Sequence, residues 1–154
     1  MQPGYNIVIA DTTCIILLDK IGQLELLRKI FISVSVTKET ADEYGKPFPE
    51  WIVVKSVSDK HYQKILETEI DRGEASAMAL SIELGNALLI LDDLKARQFA
   101  GKLQLNYTGT LGLLLSAKQK AIIPSVRFYI EKIKHTNFRF SSKLLDEIIK
   151  EAGE

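Results

Sequence analysis

The sequence predicts an α/β fold, a three-layer arrangement in which helices cover both faces of a central parallel sheet of four to five strands. Three observations carry this expectation. Short apolar runs rich in branched residues, YNIVIA over Tyr5 to Ala10, WIVV over Trp51 to Val54 and ALLIL over Ala87 to Leu91, have the length and composition of buried strands. Segments with helical spacing separate them, the alternation that parallel strands with crossover helices require. Gly, Pro and Asp punctuate the boundaries.

Each element follows in order along the chain. Asp11 ends the first strand, and Thr12 to Lys20 reads as a helix broken at Gly22. Leu24, Leu27 and Ile30 keep helical spacing and form a second helix. Phe31 to Val36 alternates with period two and is the second strand. Thr37 suits the N-cap of a helix to Tyr44, which Gly45, Pro47 and Pro49 stop. After the third strand, at Trp51 to Val54, Asp59 opens a helix to Ile70. Gly73 interrupts, and Glu74 to Leu84 is a helix of small residues ended by Gly85. The fourth strand, Ala87 to Leu91, stops at Asp92 and Asp93. Leu94 to Leu105 and Thr110 to Lys120 are helices, and Ala121 to Ile123 is a very short strand. Pro124 takes the first position of the next helix. Ser141 caps a C-terminal helix, 141–154, with Leu144, Leu145, Ile148 and Ile149 as its apolar stripe. There is no internal repeat, and 1–154 reads as one domain, close to the usual domain size of about 100–150 residues.

Composition narrows the class. With 46% hydrophobic and 26% charged residues, the chain has enough apolar surface to offset the entropy of ordering, so it is not mainly disordered. No run approaches the roughly 18 apolar residues of a membrane span, and no basic segment precedes an apolar one as in a signal peptide. The single cysteine, Cys14, cannot form an intrachain disulfide, which points to a reducing, cytoplasmic setting. Cys14 is expected in the core behind Asp11, and Trp51 and Tyr5 in strand packing.

The net charge is zero, from 20 basic and 20 acidic residues, but the charges are segregated. Residues 1–93 hold 15 acids and 9 bases, whereas 94–140 hold 9 bases and one acid, Glu131. Lys95, Arg97, Lys102, Lys118 and Lys120 are therefore candidates for steering a polyanion, against the plain alternative of ordinary helix-surface charge.

In parallel α/β sheets, ligands bind beyond the carboxyl ends of the strands, near the point where strand order reverses. Asp11 stands at one such end, and Asp92 and Asp93 at another. Carboxylates crowded there repel unless a positive group is bound, and hard divalent cations such as Mg²⁺ prefer oxygen ligands. The plain alternative is that each Asp caps the helix that follows. Glu39 and Glu43 are four apart and share a helix face; alternatively they form a solvated acidic face with Asp42. Glu74 falls at a helix start, where the helix dipole by itself favours a carboxylate.

Five segments carry a resemblance. Ile9-Ala10-Asp11-Thr12-Thr13, Asp42-Glu43-Tyr44, Gly73-Glu74-Ala75-Ser76-Ala77, Leu91-Asp92-Asp93 and Gly109-Thr110-Leu111-Gly112 occur in an order that resembles the PIN-domain nucleases, in particular a prokaryotic subgroup similar to toxins of toxin–antitoxin pairs. The resemblance implies an α/β/α sandwich and Mg²⁺- or Mn²⁺-dependent cleavage of RNA. It implies that Asp11, Glu43, Glu74 and Asp93 or Asp92 are the catalytic, metal-binding acids, with Thr12, Thr13 and Thr110 as hydroxyls near the site. Glu39 falls outside the pattern and is left as surface. Glu74 departs from the family, many members of which carry Asp there. A small antitoxin protein and a homodimer are the implied partners, with no membrane contact. The competing expectation is a catalytically silent PIN-like metal-binding or protein-interaction module. A phosphoacceptor receiver domain is excluded because the acid pair follows the fourth strand and the third ends in Lys55. An Asp-x-Asp phosphatase is excluded because Thr13 stands where the second Asp belongs.

Overall fold

A computed structural model describes residue 5 and residues 7–154. Asn6, within the strand predicted over Tyr5 to Ala10, lies outside the described residues. Among the described residues, the strands β1 (Ile7–Ala10), β2 (Val34–Thr37), β3 (Ile52–Lys55), β4 (Ala87–Ile90) and β5 (Asn106–Thr108) form one sheet in the order β3-β2-β1-β4-β5. Every pairing is parallel, with Ile9 opposite Leu89 and Ser35, and Leu89 opposite Tyr107.

The connecting helices are α1 (Thr12–Lys20), α2 (Glu25–Ile30), α3 (Lys38–Tyr44), α4 (Lys60–Leu66), α5 (Arg72–Leu84), α6 (Leu94–Lys102), α7 (Thr110–Gln119), α8 (Val126–Lys134) and α9 (Ser142–Glu151). The period-two alternation of the central strands sorts them into two layers. Val8, Ala10, Leu88 and Ile90 point to one face and pack against α1, α2, α7, α8 and α9. Ile9, Leu89 and Leu91 point to the other, against α4, α5 and α6. The small residues Ala75, Ala77 and Ala79 let α5 lie close to the sheet, and all are fully buried. The result is an α/β/α sandwich with an apolar core on each side of the sheet. No helix is long and apolar enough to cross a membrane among the described residues.

Several predicted caps form as expected. Thr37 accepts from the Thr40 amide at 3.1 Å, Asp59 from Tyr62 at 3.0 Å and Ser141 from Leu144 at 3.1 Å. Cys14 is buried, and Trp51 packs against the core.

Other boundaries are corrected. The short strand expected at Ala121 to Ile123 does not form: Ala121 has φ +59°, in the left-handed region. The Ile122 amide donates back to the Ala117 carbonyl at 2.8 Å, and Ile123 is buried, so these residues close α7 as a C-terminal cap. Pro124 precedes α8, and Ser125, accepting from the Phe128 amide at 3.2 Å, is its N-cap. The fifth strand is instead Asn106–Thr108, in the connection between the helices expected over Leu94 to Leu105 and Thr110 to Lys120. Gln104, at φ +59°, ends α6 early and turns the chain into β5. The second strand starts at Val34, leaving Phe31 buried in the core and Ile32 78% exposed.

The segment after α9 is fastened through Glu154. The Glu154 carboxylate accepts from the Val126 amide at 2.7 Å, the Arg127 amide at 3.2 Å, the Ser125 hydroxyl at 2.7 Å and Lys118 at 3.2 Å. These donors at the N-terminus of α8 hold the Glu154 pKa down to about 2. A depressed carboxylate pKa stabilises the fold above the unfolded value and loses that effect as pH falls through the folded one. Glu154→Gln should therefore lower the melting temperature at pH 6, and the gap from wild type should narrow as pH falls from about 4.5 towards 2; thermal melts across that range provide the check.

Candidate functional site

Strand order reverses between β1 and β4. The chain leaving β1 runs into α1 on one face of the sheet, while the chain leaving β4 runs into α6 on the other. The two exits diverge and leave a crevice at the carboxyl edge, where Asp11 follows β1 and Asp92 and Asp93 follow β4. The Asp11 amide donates to the Ile90 carbonyl at 3.1 Å, so the two strand ends are joined there.

Asp11 is 4% exposed, and its side chain makes no capping bond to α1. The capping alternative thus fails for this acid. Its Oδ1 is buried without a hydrogen-bond partner, an arrangement that is costly for an ionised oxygen. Burial raises its pKa to about 7; the Thr12 amide opposes this, and the charges of Asp71, Glu43 and Asp92 add to it.

Glu43, on α3, reaches the same crevice by a close approach to α5. A Cβ on Gly73 would run into the Glu43 carboxylate and lie 3.4 Å from Thr12 Oγ1. Only glycine leaves that space. Buried hydroxyls join the three helices around it: Thr12 Oγ1 lies 3.2 Å from Thr40 Oγ1, Thr37 Oγ1 lies 2.7 Å from Ser76 Oγ, and Ser76 donates to the Gly73 carbonyl at 2.6 Å. The Glu43 pKa is raised by burial and by Asp71, against the opposing effects of Thr12 and Arg72.

Glu74 and Asp71 form a capping box at the start of α5. The Glu74 amide donates to Asp71 Oδ1 at 2.8 Å, and the Asp71 amide to Glu74 Oε1 at 3.4 Å. Glu74 therefore does meet the helix-start role. It is also 6% exposed, and burial followed by Asp71, Asp11 and Asp93 drives its pKa to about 8. Asp71 was not singled out from the sequence, yet it acts on Asp11, Glu43 and Glu74 alike. The signal for it was present as the D-x-x-E spacing of Asp71 and Glu74.

Both acids after β4 have structural partners. Asp93 caps α6, accepting from the Ala96 amide at 3.0 Å. Asp92 takes the Thr110 amide at 2.7 Å and the Thr110 hydroxyl at 2.6 Å, which ties it to the start of α7. A Cβ on Gly109 would lie 3.0 Å from Asp92 Oδ1, so this glycine admits the carboxylate. Thr13 is half-buried in the first turn of α1.

Two shallow cavities flank the acids. One, of about 380 Å³, is lined by Glu43, Asp71 and Gly73; the other, of about 340 Å³, by Asp71, Glu74, Asp93 and Lys95. No group of three or more His, Cys, Asp or Glu side chains among the described residues is gathered as a metal-holding set. Glu74, Asp92 and Asp93 each hold hydrogen bonds to the chain itself.

Two surface assignments change. Glu39, left as surface, is 3% exposed: α4 covers it, with Gln63 donating to its Oε2 at 2.6 Å and Lys60 at 3.5 Å. The basic segment does not form one face. Lys95 and Arg97 stand in the first turn of α6, at the acid edge, but Lys102 lies in its last turn, roughly 10 Å further along at 1.5 Å per residue. Lys118, in the last turn of α7, is engaged with Glu154 and the Pro124 carbonyl.

A family model described as DUF3368, a PIN domain, matches residues 7–154. Neither the curated proteins nor the solved structures gave a match.

Two outcomes follow from this geometry. An acid whose pKa is raised on folding favours the folded state at low pH and loses that advantage as pH climbs from the unfolded value towards the folded one. Without divalent ions, the melting temperature should fall between about pH 4 and pH 8, and Asp11→Asn should flatten the slope. Gly73→Ala should displace Glu43 while gaining up to about 1 kcal/mol of helix propensity. Its melting temperature should hold while its Mn²⁺ affinity, read by calorimetry, drops by roughly tenfold or more.

Proposed function

The chain belongs to the PIN-domain family, whose members are usually nucleases, and from that premise we propose that it is a Mg²⁺- or Mn²⁺-dependent endoribonuclease. The observation that supports this most is Asp11: a buried carboxylate at the strand-order switch, making no side-chain cap bond and with one oxygen lacking any donor. A cation satisfies such an oxygen. The surrounding donors are all carboxylates, the hard oxygen set that Mg²⁺ and Mn²⁺ favour. The spread of the acids is compatible with Mg²⁺, which commonly uses only one or two carboxylates and retains its waters.

Asp11, Glu43 and Glu74 would hold the ion, with Asp93 or Asp92 as the fourth acid. A bound divalent ion supplies Lewis acidity towards phosphate oxygens and makes a coordinated water more acidic. The chain's residues do the rest. Thr110 holds Asp92 in place through its amide and hydroxyl. Thr12 braces Glu43, and Thr13 offers a further hydroxyl on α1. Lys95 and Arg97 attract the phosphodiester backbone to an edge that is otherwise acidic. Protons on Asp11 and Glu74 compete with the cation, so ion affinity should rise as pH increases through about 7 to 8.

The biological role that fits is the toxin of a toxin–antitoxin pair, held by a small antitoxin protein, working in the cytoplasm and pairing as a homodimer. The structural work already done by Glu74, Asp92 and Asp93 as helix-start and loop anchors favours one second reading, a catalytically silent PIN-like module acting through protein contacts.

The deciding experiment is cleavage of a mixed RNA pool with Mg²⁺ or Mn²⁺. Wild-type protein should cut, EDTA should stop it, and Asp11→Asn should lower the rate by at least about 100-fold. Equal cleavage by both proteins would identify a contaminant, and no cleavage by either with Mn²⁺ bound would favour the silent module.

A further inference from the structure

Beside the acid edge lies a cleft of about 370 Å³ between the starts of α6 and α7 and the outer side of α9. Its volume falls within the range of sites that hold small molecules, about 300–1,000 Å³. It is strongly asymmetric. One end is polar, with Asp92, Arg97 and Thr108; the other is apolar, with Leu94, Phe140, Leu144 and Ile148.

The apolar end exceeds what folding requires. In α9, Leu145 and Ile149 are buried in the core, whereas Leu144 is 39% exposed and faces the cleft with Ile148. Across from them Leu94 is 68% exposed, directly after the capping Asp93. Water-facing leucines on both walls of one concavity leave an apolar surface that a ligand would cover. At the polar end, Arg97 enters none of the ion pairs formed among the described residues and lies 5.4 Å from the centre of the Tyr107 ring. Its guanidinium stands close to Asp92: both reach the space above Gly109, at 3.5 Å and 3.0 Å from where a Cβ would sit.

A flat apolar body joined to an anion fits this division. We infer that the cleft receives the nucleobase next to the cleaved phosphodiester of a single-stranded RNA, with the base between Leu94 and Phe140–Leu144 and its phosphate on Arg97. The inference rests on the nuclease reading. Because Asp92 belongs both to the acid edge and to the cleft, a strand lying across the acids continues into this slot. A paired base cannot leave its stack without cost, so an unpaired strand is the substrate form that fits. Aromatic and apolar walls hold bases with little regard to identity, so the slot would set position and strandedness before base type.

The test uses the full chain carrying Asp11→Asn, so that bound RNA stays intact, and a set of fluorescent single-stranded RNA oligonucleotides. Each has one abasic site, moved along an otherwise constant strand. Binding is read by anisotropy, with thermal melts as folding controls; Leu94→Ser and Leu144→Ser change exposed residues and should fold normally. The expected result is weakening of roughly tenfold by each variant for intact RNA. For RNA abasic at one position, the same variants should cost little more than the missing base already does, the non-additivity of groups in contact. Equal losses for intact and abasic strands at every position would overturn the proposal, as would unchanged binding. So would a variant that abolishes self-association or peptide binding yet leaves RNA affinity intact, since the cleft would then belong to another chain. Because the readout is binding, failure of cleavage with positional coupling preserved would count against the nuclease reading and leave the base slot standing.

Discussion

Like charge held at one place governs this molecule. A parallel sheet aligns the carboxyl ends of its strands, and here the two central strands both finish in acids. Burial first, and then neighbouring carboxylates, raise the proton affinity of Asp11, Glu43 and Glu74 at the crevice. Arg72 opposes that effect at Glu43, and around the crevice stand two apolar cores, the hydroxyl contacts among α1, α3 and α5, and caps that give individual carboxylates donors of their own. The sheet behind them is wholly apolar along both β1 and β4, and buried throughout along β4.

The acids divide by the work they do in the resting fold. Asp71 and Glu74 start α5, Asp93 starts α6, and Asp92 anchors α7. Asp11 stands at the N-cap position of α1 but makes no side-chain cap bond there, and its Oδ1 is buried without a partner, which separates it from these neighbours.

The sequence was legible wherever periodicity and punctuation were strong. The apolar runs of β1, β3 and β4 and the caps at Thr37, Asp59 and Ser141 locate most of the layers and both strand ends of the site. What was hidden depends on chain reversals or on distant packing. β5 is three residues, Asn-Tyr-Thr, without an apolar alternation, and its start depends on Gln104 adopting a left-handed backbone. Ala121 does the same and turns an apparent strand into a cap. Glu39 carries no sign of burial, because the residue that covers it, Gln63, is 24 positions away. The basic segment looked continuous because linear order ignores helix direction: α6 begins at the acid edge and carries its later lysine away from it. The acids themselves were all legible as candidates except Asp71, which reads as an ordinary capping residue. Its effect on Asp11 and Glu43 crosses from α5 to α1 and α3, a three-dimensional fact.

The segment that fastens the end of the chain has a wider consequence. Glu154 pins the tail to α8, and α9, so held, supplies one wall of the cleft beside Asp92. The residues proposed for bond breaking lie within the first 93 positions, while that wall comes from 140 onward. The acids proposed to hold the ion and one wall of the proposed base slot thus come from separate stretches of the chain. A substitution on the cleft side of α9 would therefore reshape that wall while leaving every acid of the edge in place.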